Sequence, residues 1–179
     1  MAERLIAAFG SLAGFLKATP EAIDNALGGD AWVGRPLIAA RTPIERGQRE
    51  TLSASRVDPA SAALRGYLGS LLAGERNEAL HAVFADRQGR YIADERIATG
   101  GAGGLEVRLR TLFHRAFELG AGALLLAHNH PSGDPAPSPA DIAATRELVR
   151  IAAALDVAVI DHFLVAGARV TSMRERGLL

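Results

Sequence analysis

The start of the chain has the hydrophobic pattern of helices, which predicts a helical arm there. Apolar residues recur every three or four positions over residues 4–16. A second short helix is predicted to begin at Thr19 and to run through Leu27. Residues 28–56 are rich in glycine, arginine and threonine and have little periodicity, so no element is predicted there. Residues 1–57 are therefore interpreted as a helical N-terminal arm.

A better-defined helix follows this arm. Asp58 and Pro59 are residue types favoured at an N-cap and at the first helical position, so the helix is predicted to begin there. Its apolar residues fall on one face: Ala63, Leu64, Tyr67, Leu68, Leu71 and Leu72. We place the domain boundary just before this helix, so that a second domain spans residues 58–179.

The rest of this domain alternates between strand and helix patterns. Two strands form a predicted hairpin over residues 78–84 and 91–98. The later elements are a helix at 109–117, a strand at 122–127, a helix at 139–155, and two strands at 157–165 and 168–172. Strands bracketed by helices in this order predict an α/β fold, a three-layer α/β/α sandwich with a mixed sheet.

The composition narrows the possible functions. Lysine and arginine total 20, aspartate and glutamate also total 20, and neither half of the chain carries a basic block. Binding of nucleic acid by phosphate neutralisation alone needs clustered positive charge, so the balance argues against it. The absence of cysteine excludes disulfides, thiolate zinc sites and a cysteine nucleophile, and it favours a cytoplasmic location. No signal peptide and no membrane span are expected.

The candidate chemistry follows the apolar strand at residues 122–127. His128 and His130 leave the end of this strand, and Ser138 opens the next helix, which has Asp141 in its first turn. Two histidines one residue apart on an extended segment can point the same way, and the intervening loop would return the aspartate beside them. Two imidazoles and one carboxylate, with a fourth position left to water, form the ligand set of a catalytic zinc. The alternative is a proline-capped turn whose histidines bond to backbone groups.

The spacing H-x-H, seven residues, Ser, two residues, Asp resembles the JAMM (MPN+) metallopeptidase motif. The residue sequence His-Asn-His-Pro-Ser-Gly, followed by Ser-Pro-x-Asp, resembles the RadC family of bacterial JAB-domain proteins. The resemblance covers roughly the C-terminal two thirds of the chain. It implies the JAB/MPN fold, which is cytidine-deaminase-like, and a zinc-dependent peptidase or isopeptidase acting on a peptide or protein. A nucleobase deaminase itself is excluded, because its signature needs cysteines.

The resemblance also implies roles for residues outside the ligand set. In the JAMM pattern a glutamate on the first strand of the domain acts as general base, and Glu78 occupies that place, whereas Glu75 is interpreted as a solvated charge. Ser138 is implied to stabilise the developing oxyanion, and its competing use is the helix N-cap. RadC relatives share an Asp-His pair, here Asp161 and His162, which either orients a ligand from a second shell or packs at the end of its strand.

The same resemblance supplies an alternative function. RadC relatives often carry a helix-hairpin-helix element, which grips a DNA phosphate at a glycine-rich turn. Gly28-Gly29-Asp30 is the nearest match, but an acid follows the glycines and the second helix is not evident. We interpret the arm as a degenerate remnant and keep a DNA-repair or DNA-metabolism accessory role as the alternative. The sequence carries no signature of one particular substrate or of the oligomeric state.

Overall fold

The computed structural model describes residues 2–10, 18, 20–28, 47, 49–73, 75–100, 105 and 107–179. In the N-terminal arm, helices α1 (Ala2–Phe9) and α2 (Pro20–Leu27) contact each other. Helix α1 ends at Phe9, where Gly10 adopts a φ of 73°, and the rest of the helix predicted over residues 4–16 lies outside the described residues. The second predicted helix is confirmed. Most of the candidate hairpin turn lies outside the described residues.

The described residues form one five-stranded mixed sheet in the order β2-β1-β3-β4-β5. The strands are β1 (Ala79–Ala85), β2 (Tyr91–Thr99), β3 (Ala123–Asn129), β4 (Ala158–Ala166) and β5 (Arg169–Ser172). Strand β1 lies antiparallel to both β2 and β3, β3 and β4 are parallel, and β5 returns antiparallel to β4. Every residue of β1 and β3 is buried, as is typical of strands that are covered on both faces.

Helices cover both faces of this sheet. Helix α3 (Ala62–Leu72) packs on one face, where its buried leucines meet Val83 and Leu125. Helices α4 (Leu109–Glu118) and α5 (Pro139–Ala154) pack on the other face, against side chains that include Leu124 and Leu126. The predicted three-layer sandwich with a mixed sheet is therefore confirmed. Because side chains alternate along a strand, His128 lies on the same face as Leu124 and Leu126.

The predicted start of the third helix is wrong by a few residues. Ser61 is the N-cap of α3, and its hydroxyl accepts a hydrogen bond from the backbone N–H of Leu64 at 3.3 Å. The carboxylate of Asp58 instead accepts from the N–H of Ala60 at 2.9 Å and closes a turn before the helix. Both residues are good caps, so composition alone did not separate them.

Two further features concern the whole chain. Residues 49–53 are helical, although the sequence pattern predicted no element there. In the part of the chain that the structure describes, no helix is both long and apolar enough to cross a membrane. The division of the chain at residue 57 stays a prediction.

Candidate metal and catalytic site

The structure brings together the three residues of the predicted ligand set. His128 lies near the end of β3, His130 follows the strand, and Asp141 lies in the first turn of α5. The two Nε2 atoms are 3.0 Å apart. Asp141 Oδ1 is 3.4 Å from Nε2 of His128, and Asp141 Oδ2 is 3.3 Å from Nε2 of His130. One ligand atom from each residue therefore lies close enough to the others to hold a metal ion.

A hydrogen bond on its far side sets the tautomer of His130. Its Nδ1 lies 2.8 Å from the carbonyl oxygen of Asp134. Because a carbonyl oxygen only accepts, the proton of the neutral ring is on Nδ1. The lone pair of Nε2 therefore points into the cluster, as a metal ligand requires.

A longer chain of hydrogen bonds sets the tautomer of His128. The hydroxyl of Thr145 donates to the backbone carbonyl of Asp141 at 2.6 Å, so it accepts from Nδ1 of His162 at 2.7 Å. Nε2 of His162 is then the acceptor for Nδ1 of His128, at 2.8 Å. In the neutral rings the Nε2 atoms of His128 and His130 thus carry no proton, and they converge with a carboxylate. This donor set fits a cation.

The ionisation of the surrounding groups agrees with this arrangement. Complete burial holds the pKa of His162 well below its ordinary value, so this imidazole stays neutral. Burial alone would raise the pKa of Asp141. A hydrogen bond from His128 when that ring is protonated, together with those from Ser138, outweighs burial and holds that pKa well below its usual range. Asp141 is therefore a carboxylate at neutral pH.

Ser138 occupies the N-cap of α5 in a capping box with Asp141. Its hydroxyl accepts from the backbone N–H of Asp141 at 3.1 Å and donates to Oδ2 of the same residue at 2.6 Å. The backbone N–H of Ser138 also donates to that oxygen, at 2.7 Å. The structure therefore shows the N-cap use of this side chain, and its oxyanion role stays a prediction.

Glu78 lies immediately before β1 and lines the cleft that opens over the metal-ligand cluster. Leu80 pairs with His128 in the antiparallel register, and continuing that register by two residues brings Glu78 opposite His130. Glu78 also has the same parity as Leu80, so it faces the same side of the sheet as His128. Glu75 is instead bound to Arg96, with its Oε1 2.6 Å from the guanidinium nitrogen.

The sequence analysis missed Asn129, which holds the backbone on both sides of Glu78. Its Oδ1 accepts from the N–H of Ala79 at 2.8 Å, and its Nδ2 donates to the carbonyl of Asn77 at 3.0 Å. The side chain is buried, so both hydrogen bonds are shielded from water. An asparagine between the two candidate histidines, at the end of a mostly apolar strand, was the available signal, because a buried amide needs partners.

The side chains of Asp161 and His162 make different contacts. His162 contacts His128, as described above. Asp161 faces away from the ligands, since adjacent residues of a strand point to opposite faces. Its carboxylate accepts from the backbone N–H groups of His162 and Arg174, at 2.7 and 3.1 Å, and from the hydroxyl of Ser172. The carboxylate of Asp161 therefore joins β4 to β5 and the turn that follows, and a role for Asp161 in orienting a ligand stays a prediction.

Comparisons with known proteins cover the same region and extend beyond it. The family model for the RadC-like JAB domain matches residues 59–178. A UPF0758 protein of Polaromonas sp. strain JS666 is 37% identical over all of this chain and 80% of its own length. A UPF0758 protein of Rhodobacter capsulatus is 36% identical over 100% of this chain and 84% of its own length. A UPF0758 protein of Vibrio atlanticus is 35% identical over 99% of this chain and 79% of its own length. These names state no activity.

Proposed function

Because the chain belongs to the RadC-like JAB family, we propose that it is a JAMM-type zinc hydrolase that cleaves amide bonds in a peptide or protein. One observation carries the proposal. Two imidazole Nε2 atoms and a carboxylate oxygen converge at the cleft, and the hydrogen bonds made by the Nδ1 atoms leave both Nε2 lone pairs free in the neutral rings. Three protein ligands with one open position are typical of catalytic zinc, whereas structural zinc sites are closed by four.

His128, His130 and Asp141 would hold the zinc, which supplies a Lewis acid and a bound water of lowered pKa. The Glu78 carboxylate accepts the proton of the attacking water and returns it to the leaving amine. Its backbone is fixed for this task, since Asn129 bonds to both neighbouring peptide groups and the N–H of Gly100 donates to the Glu78 carbonyl at 2.6 Å.

Ser138 is assigned as the donor to the developing oxyanion. It lines the same cleft as Glu78 and stands next to Asp141. For this task its hydroxyl would turn from the carboxylate towards the substrate. Such donors contribute roughly 3–4 kcal/mol to transition-state stabilisation, more than the roughly 1 kcal/mol of an N-cap.

The proposal is tested by comparing zinc-loaded wild-type protein with Glu78→Gln and Glu75→Gln on a peptide library, with new termini detected by mass spectrometry. Glu78→Gln is expected to keep its zinc and to lose about a hundred- to ten-thousand-fold in kcat, because the proton acceptor is gone. Glu75→Gln is the matched control, since the Glu75 carboxylate pairs with Arg96, and it should cleave at the wild-type rate.

Two outcomes would contradict this account. A Glu78→Gln protein that cleaves at wild-type speed would remove Glu78 from the mechanism. A zinc-loaded wild-type protein that cleaves no amide bond in the library would remove the proposed reaction.

A further inference from the structure

The cleft over the metal ligands continues into an apolar part. The whole cleft, including its metal-ligand end, has a volume of about 950 Å³, which is within the range of small-ligand sites. Its leucine and valine side chains come from β1, β3, α4, α5 and the segment before α4: Leu80, Leu105, Val107, Leu109, Leu126 and Leu148. Leu80, Leu126 and Leu148 are buried and form the floor, while the other three are half-buried.

This apolar part is continuous with the proposed catalytic groups. Leu80 stands two residues after Glu78, and Leu126 stands two residues before His128, on the same face of the sheet. Two residues of a strand span about 7 Å. A side chain of leucine or phenylalanine size, on the residue next to an amide held at the metal ligands, covers that distance.

The charges along the cleft are all of one sign among the described residues. Its charged lining groups are the carboxylates of Glu78, Asp134, Asp141 and Glu147, and no described lining residue is a lysine or an arginine. An anionic group in the apolar part would lose its hydration without gaining a lysine or arginine partner, and one bound zinc would offset only part of the charge of the four carboxylates. A free C-terminal carboxylate, an acidic side chain and a nucleic-acid phosphate are therefore poor occupants.

We propose that the apolar part of the cleft is a specificity pocket for an uncharged, apolar side chain next to the scissile amide. The substrate class is then an internal peptide segment with a residue of leucine, methionine or phenylalanine size beside the cleaved bond. This inference rests on the proposed amide hydrolysis, but the binding step is measurable without turnover.

The test uses zinc-loaded Glu78→Gln protein, which holds peptide without cleaving it. Two N-acetylated, C-amidated glycine-serine octapeptides that differ only in a central leucine or aspartate are titrated by ligand-observed NMR. The leucine peptide is expected to bind at least tenfold more tightly, because its side chain leaves water for an apolar wall. Adding Val107→Asp should lower the affinity for the leucine peptide by about tenfold.

Two further variants separate binding from folding. Val107→Thr keeps the shape of the side chain and should lower the affinity for the leucine peptide about threefold. It therefore tests the pocket even if the aspartate variant folds poorly. Leu155→Asp is the matched control, because Leu155 is exposed at the end of α5 and does not line the cleft. It should leave binding unchanged. Equal affinity for the two peptides, no binding of the leucine peptide at millimolar concentration, or unchanged binding in both folded Val107 variants would overturn the pocket.

The library experiment distinguishes this failure from failure of the proposed function. Cleavage without any preference for apolar neighbours would leave the hydrolase standing and remove the pocket. Selective binding of the leucine peptide without any cleavage would remove the hydrolase and keep the pocket as a binding site.

Discussion

Single buried side chains set the geometry of this site more than the motif residues do. Nδ1 of His128 is bonded to His162, and that ring is bonded to Thr145, whose hydroxyl returns to the backbone of Asp141. This chain of hydrogen bonds connects His128, a candidate ligand on β3, to Asp141, a candidate ligand on α5. The carbonyl of Asp134 holds the remaining candidate ligand, His130. Partners of this kind fix the tautomer and the direction of metal-binding histidines.

The variant Asn129→Ala tests whether catalysis needs the clamp on the Glu78 backbone, meaning the two hydrogen bonds from the Asn129 side chain to Asn77 and Ala79. The change leaves the carbonyl of Asn77 and the N–H of Ala79 without that partner, so the free energy of unfolding should fall by about 1–3 kcal/mol. Loss of the clamp should lower kcat at least tenfold, because a small displacement of a catalytic group is costly. Zinc content should stay at the wild-type value. Kinetics, metal analysis and urea unfolding measure the three quantities.

Asn77→Ala is the control for this change. Residue 77 contributes only its backbone carbonyl to the described hydrogen bond, so removing its side chain should leave kcat unchanged. An Asn129→Ala protein with the kcat of wild type would show that the clamp has no role in catalysis.

At the scale of elements, sequence periodicity predicted most helices and strands to within a few residues. The apolar stretch of β3 and the proline-opened helix α5 were strong local signals, and they placed His128, His130 and Asp141. Local signals failed where two candidate caps competed, at Asp58 and Ser61. They also could not pair Asn129 with a segment 52 residues earlier, because that contact depends on the sheet register.

Ser138→Ala tests the two uses of this hydroxyl at the start of α5. Loss of the N-cap should lower the free energy of unfolding by about 1 kcal/mol. Loss of the oxyanion donor should lower kcat by roughly a hundredfold or more, with zinc retained. Ser61→Ala removes the N-cap of α3 and is the matched control, with a similar loss of stability and no loss of rate. Equal rates in wild-type and Ser138→Ala proteins would leave Ser138 with the cap alone.

At the scale of the whole molecule, a second buried polar cluster lies on the opposite face of the sheet from the site. The carboxylate of Asp94 accepts from Arg49 of the arm, from Tyr67 of α3 and from Tyr91, and it contacts His81 of β1 at 2.7 Å. Burial would raise the pKa of Asp94, but these partners outweigh burial and hold it well below the ordinary 3.8. The cluster therefore ties the arm to the domain. Arg49, Tyr67 and His81 are far from Asp94 in sequence, so no local pattern predicted the cluster.

The depressed pKa of Asp94 predicts how stability changes with acidity. In the unfolded chain the carboxyl takes up a proton near pH 3.8, whereas the folded protein resists protonation until lower pH. Its contribution is therefore complete above about pH 5 and is lost as the pH falls through the folded pKa.

Asp94→Asn should lower the free energy of unfolding by about 3 kcal/mol at pH 6, and the difference from wild type should shrink at pH 3. Urea unfolding at the two pH values measures this. Glu118→Gln, an exposed carboxylate paired with Arg115, should change stability by at most about 0.5 kcal/mol. A difference between wild type and Asp94→Asn that is equal at pH 6 and pH 3 would contradict the assignment.

The most direct test of the whole account is the zinc content of the purified protein, measured by mass spectrometry of the metal after loading and desalting. Wild-type protein should hold about one zinc per chain, and His128→Ala and Asp141→Ala should hold almost none. Glu147→Gln, another carboxylate of α5 that lines the cleft, should keep the wild-type content. Circular dichroism should show that the metal-free variants stay folded, because the core does not depend on the metal. A zinc-loaded wild-type protein without stoichiometric metal, or an Asp141→Ala protein that retains it, would contradict the site.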